Sequence, residues 1–307
     1  MQKTKLEENN NNCISLDGKK FIFIGNSFVH HGLTVLKVPQ CVLEQKERGE
    51  DKGYFYQLCR VNGEEVQVTS WTFGGHTLDD IFGGDCHADR GCDGVDHLSY
   101  LTDRDFDYVV ISAGSRGDSD PRFLTNIRTI TRIFREANPC VKFFYLCNVA
   151  SYGISAYHKK QKRLLNALKL LEDMDVTVVD WGGLVTAIID GKLRVPESKH
   201  TYDQNSFIIR KSEIDGFHPN LLSGYITSLS LYCAITGKSA VGQDYSFCND
   251  RSLAEKFDFE LYRRKHYSYD GAHTNFPEIF ASVSDMRGIQ TLIDAYLAEK
   301  SYRYYNY

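Results

Sequence analysis

The sequence predicts an α/β fold: a three-layer α/β/α sandwich around a parallel, doubly wound, flavodoxin-like sheet of about five strands. Three observations predict it. Short runs of continuous apolar residues recur along the chain, as in strands buried on both faces. Stretches with apolar residues at helical spacing separate the later runs, and strands alternating with helices make a parallel sheet joined by crossovers. The composition is globular, 42% hydrophobic and 25% charged over 307 residues, which excludes a disordered chain and allows a sizeable core.

The elements follow in order. Lys20 to Gly25 (KFIFIG) is a short apolar run ending in glycine and reads as the first strand. Glu65 to Thr69 (EVQVT) alternates and reads as the second. Asp107 to Ser112 (DYVVIS) and Val141 to Cys147 (VKFFYLC) are the third and fourth, and Val176 to Asp180 (VTVVD) the fifth. Between the third and fourth, Phe123, Ile127, Ile130 and Phe134 recur at helical spacing with Arg128, Arg132 and Arg135 outside. Between the fourth and fifth, Leu164, Leu165, Leu168 and Leu171 make a second amphipathic helix. A last helix carries Ile289, Leu292, Ile293, Tyr296 and Leu297 on one side. Residues 1–18 read as a polar, flexible N-terminus with an asparagine run, 19–236 as the α/β domain, and 237–307 as a C-terminal extension that packs on the domain or lids its cleft.

Net charge is −4, so no global basic field steers the chain to nucleic acid or to an anionic membrane. No stretch approaches the roughly 20 apolar residues that span a bilayer. The nine cysteines include no CxxC pair, and Cys147 sits inside an apolar run where a free thiol acts as a small hydrophobe. With no apolar stretch before Phe21, the expected compartment is the cytoplasm, or outside the cell if a leader has been removed.

Two motifs carry chemistry. In the first, Gly25-Asn26-Ser27-Phe28, a serine stands two residues past a buried strand, at the carboxyl edge where open α/β sheets build their sites. A plain helix N-cap serine stands in the same place. In the second, Asp215-Gly216-Phe217-His218-Pro219, a carboxylate three residues before a histidine can fix the imidazole tautomer and stabilise its protonated form.

Together these motifs resemble the SGNH/GDSL hydrolase superfamily, in its branch whose first block reads Gly-Asn-Ser-Phe. The resemblance covers roughly Lys19 to Thr236. It implies Ser27 as nucleophile, with Asn26 where better-known members carry Asp, and His218 and Asp215 as base and orienting acid. It also implies an oxyanion hole made by the N–H of Ser27 and the N–H of a glycine after the second strand. Gly75 fits that place, with Gly74 as alternate. The third block departs: the family has Gly-x-Asn there, and counting from Gly114 puts Arg116 in the Asn place with Ser115 beside it. Losing one oxyanion donor typically costs about 10²–10³ in turnover.

The expected reaction is hydrolysis of an acyl or acetyl ester, on a small molecule or a carbohydrate, with no cofactor and no metal. Asn26, His30 and Asn148 are the expected substrate contacts. A catalytically silent relative that binds a sugar or acyl ligand in the same cleft is the alternative. A nucleotide binder is a remoter one, since no Gly-x-Gly-x-x-Gly follows the first strand. Asp270-Gly271-Ala272-His273 repeats the spacing of the second motif without the proline. The Cys, His and Asp residues between Asp85 and His97 read as an irregular loop rather than a zinc site, because Cys86 and His87 are adjacent.

Overall fold

The computed structural model describes residues 13–30, 52–73, 75–83, 96–114, 121–148, 169–203, 206–207, 219, 221–249 and 283–298. Five strands form one sheet: β1 (Lys20–Gly25), β2 (Gln67–Thr72), β3 (Tyr108–Ile111), β4 (Lys142–Leu146) and β5 (Val176–Val179). Their order across the sheet is β2-β1-β3-β4-β5, and every neighbouring pair is parallel. Seven of the ten expected strand ends shift, by one to three residues. The largest shift is in β2, expected at Glu65–Thr69, which runs on to Thr72 because Trp71 and Thr72 pair with Ile24 and Gly25.

Alternation along each strand divides the core in two. Phe21, Phe23, Tyr108, Val110, Phe144 and Leu146 point to one face. Ile22, Ile24, Val109, Ile111, Phe143 and Tyr145 point to the other. Helices α2 (Tyr54–Val61), α5 (Trp181–Ile189), α6 (Leu221–Thr236) and α7 (Val283–Ala298) cover the first face. The short α3 (Leu78–Ile81) and the long α4 (Phe123–Ala137) cover the second. Helix α1 spans Ser27–His30. Helices on both faces of an all-parallel sheet make the three-layer α/β/α sandwich.

The stripe on α4 is as expected: Phe123, Ile127, Ile130 and Phe134 are buried while Arg128 and Arg132 face solvent. Of the leucine helix before β5, Leu171 is fully buried and its partners at 164, 165 and 168 lie outside the described residues. Helix α7 belongs to the core, with Met286, Ile289 and Ile293 fully buried. Gly288 lets it approach the 195–196 turn, since a Cβ there would fall 2.5 Å from the Pro196 carbonyl oxygen. Residues 13–18 are also tied in: Ile14 N–H donates to the Thr236 carbonyl at 3.0 Å, and Leu16 is fully buried. Among the described residues, no helix is long and apolar enough to cross a membrane.

This topology decides where a site can form. The chain passes from β1 to β2 on one side, then returns past β1 to β3 on the other. The loops leaving β1 and β3 therefore diverge, and such a switch point is where open α/β sheets place their ligand sites.

Candidate active site

The site is assembled from strand-end loops at that edge. At the end of β1, Gly25 allows an unusually close approach by β3, since a Cβ on it would lie 2.6 Å from the Ser112 carbonyl oxygen. The backbone pairing continues past both neighbours: Phe73 N–H donates to the Gly25 carbonyl and Ser112 N–H to the Ile24 carbonyl, each at 2.9 Å. The chain then turns into α1, and half-buried Ser27 is its first residue.

Asn26 precedes it and is 8% exposed. Its Oδ1 accepts from the Phe28 N–H at 3.1 Å, an Asx arrangement that holds the turn. Its Nδ2 donates to the His76 carbonyl at 2.8 Å, which reaches across to the loop after β2. In that loop Gly75 is exposed with φ +79°, the left-handed region that glycine enters without strain. Gly74 lies outside the described residues. Two residues on, Thr77 caps α3 in a reciprocal capping box with Asp80, which fixes where the loop ends.

From β3 the chain reaches Gly114, also left-handed at φ +73°. A Cβ on Gly114 would collide with the Asn26 amide, Nδ2 nearest. The loops after β1, β2 and β3 thus all meet at the Asn26 side chain. Behind them, Asn148 follows β4 and is 1% exposed. Its Nδ2 donates to Ser112 Oγ at 2.8 Å, and its Oδ1 accepts from Trp181 Nε1 at 3.1 Å. Asp180, after β5, accepts from the Gly183 N–H at 3.0 Å and from Tyr296 Oη at 3.3 Å, joining α5 and α7 to the sheet edge.

Of the residues expected from sequence, the structure brings Asn26, Ser27, Gly75 and Asn148 to one edge. Asn148 is buried, its amide donating to Ser112 Oγ and accepting from Trp181 Nε1. Asn26 is bonded to backbone groups. His30 is the last residue of α1. Ser115, Arg116, Asp215 and His218 lie outside the described residues, as does the decoy His273. Pro219 is buried, and α6 opens two residues after it.

Sequence reading missed an aromatic cluster under the β2 loop. Phe73 stacks on His97 with centroids 4.1 Å apart, and His76 meets His97 edge-on at 5.4 Å. Both imidazoles are buried. No spacing rule links residues 73, 76 and 97, so nothing in the sequence announced it. His97 is thus a packing group, the last member of a stretch whose residues 84–95 lie outside the described ones.

An open, all-parallel α/β sandwich with its switch point between β1 and β3 is the class that the fold defines. No family model and no curated protein matches the chain. Among solved structures it is similar to a variant of an acetyl xylan esterase from Geobacillus stearothermophilus, with 13% identity over 75% of this chain and 97% of that one and a TM-score of 0.48. It is also similar to a family 3 carbohydrate esterase from Clostridium thermocellum, with 12% identity over 81% of this chain and 98% of that one and a TM-score of 0.42.

Proposed function

We propose that this chain is a serine ester hydrolase of the SGNH type, cleaving an acyl or acetyl ester on a small molecule or carbohydrate. The observation that carries it is the place of Ser27. It is the second residue past β1, at the switch point where the sheet order reverses, with the Gly75 loop bonded to its neighbour Asn26.

In the proposed reaction His218 takes the Ser27 hydroxyl proton as Oγ attacks the ester carbonyl carbon. Asp215 holds the ring and stabilises the imidazolium. The oxyanion rests against the backbone N–H groups of Ser27 and Gly75, with Ser115 or Arg116 as a third donor. The bond to the alcohol oxygen then breaks as His218 returns the proton to it. Water, deprotonated by His218, releases the acid and restores Ser27.

The test is turnover of p-nitrophenyl acetate and of an acetylated sugar by the native protein and by Ser27→Ala. The variant should lose at least about 10³-fold in kcat with its melting curve unchanged, because nucleophile removal costs chemistry rather than packing. Equal turnover would end the proposal. His218→Ala should be as damaging, and His273→Ala should keep most activity; the reverse would exchange the two histidines. The departure at Arg116 favours a second reading, a silent relative that binds a sugar or acyl ligand. Such a protein would not label at Ser27 with a fluorophosphonate.

A further inference from the structure

The Asn26 amide is a short, planar group whose donor and acceptor are fixed relative to each other, so using both ends fixes the two things they touch. One is the Phe28 N–H, the peptide one residue past Ser27. The other is the His76 carbonyl, one residue past Gly75. The third side is closed by Gly114, whose backbone lies so near that any side chain there would displace the amide. The group is 8% exposed, so water competes weakly for either bond.

From this we infer that Asn26 is a positioning residue: its amide sets the spacing between the N–H of Ser27 and the N–H of Gly75, the two proposed backbone donors to the oxyanion. The inference rests on the ester-hydrolase reading above. Ser27 begins α1, and Gly75 stands in a turn. The Asn26 amide bridges the two loops that carry them. A donor displaced by about 1 Å can cost about 10²-fold in rate without altering ground-state binding.

Asn26→Ala removes both bonds. Asn26→Asp keeps the shape and the acceptor for Phe28 but offers the His76 carbonyl no N–H. Native protein, both variants and Ser27→Ala are to be titrated to completion with a fluorophosphonate, so that kcat is expressed per reactive serine, and then assayed on p-nitrophenyl acetate. Both Asn26 variants should label stoichiometrically, and kcat per labelled site should fall about 10–100-fold with KM within about twofold. A misfolded fraction would lower the labelling stoichiometry and leave kcat per site unchanged, which overturns the inference. Native kcat in Asn26→Asp would overturn it too, since the bond to His76 would then be dispensable. A loss carried by KM would make Asn26 a substrate contact and overturn it likewise. If Asn26→Ala does not fold, the nearly isosteric Asp variant decides alone. Native turnover no greater than that of Ser27→Ala would bring down the hydrolase reading and this inference together, an outcome distinct from all the others.

Discussion

At the scale of single residues, the strand-end asparagines show where sequence reading stops. A polar residue just past a buried strand reads the same whether it faces a ligand or ties two loops, and only its partners tell. Ser27 was legible, because a strand followed at once by Asn-Ser places the serine at the sheet edge whatever the partners. The tie from Asn26 to His76 was not, because it spans 50 residues of chain. Gly114 tests that tie from the other side. Gly114→Ala combines a left-handed backbone with a Cβ driven into an amide bonded at both ends, so it should cost about 1–3 kcal/mol by thermal denaturation. Cysteine chemistry gives a second residue-level prediction. Burial pushes the Cys59, Cys233 and Cys248 thiols well above their ordinary value, whereas Cys13 and Cys140 are exposed. A thiol reagent followed by peptide mass mapping should mark Cys13 and Cys140 in the native protein. It should reach Cys59, Cys233 and Cys248 only on unfolding; early labelling of Cys59 would contradict its burial.

Among elements, the parallel strands were the most legible, because burial on both faces demands continuous apolar runs and few other elements do. The end of β2 escaped because Ser70, Trp71 and Thr72 break the alternation that marked its start, although all three are buried. The α7 stripe was legible as a helix, but its partner was not, since an apolar face names no surface. That partner is α6 and the end of β5: Gln290 Nε2 donates to Tyr225 Oη at 2.9 Å, and Tyr296 reaches Asp180. Asp294 adds a second anchor, accepting from the Ala240 N–H at 2.6 Å. We therefore propose that the stretch from 237 onward completes the α/β domain through α7 rather than forming a unit of its own. Ile293→Ala in the middle of α7 should destabilise the whole protein by about 2–5 kcal/mol. A loss under 1 kcal/mol in chemical denaturation would mean that α7 can leave while the sandwich stays folded.

Over the whole molecule, the two cores are not independent, because each strand supplies both of them with alternate residues. Phe21 and Phe23 face one side, and Ile22 and Ile24 the other. Neither helical layer can come away without stripping one face of the same five strands. The two tryptophans of the chain happen to report on opposite sides: Trp181 lies in the first core and Trp71 in the second. Trp71→Phe and Trp181→Phe therefore give proteins whose fluorescence follows one face each. In each background a large cavity can be cut on the far side. Phe134→Ala empties a fully buried position under α4, and Phe55→Ala does so under α2. Either should cost about 3–5 kcal/mol, a large part of the roughly 5–15 kcal/mol by which a domain is stable. If the sheet couples the layers, Phe134→Ala lowers the midpoint seen by Trp181 as much as the far-ultraviolet dichroism midpoint, and Phe55→Ala does the same for Trp71. The fluorescence and dichroism curves should coincide, as for a two-state unit. A cavity that shifted only the tryptophan on its own face would show that the layers melt separately, and the single cooperative sandwich would have to be given up.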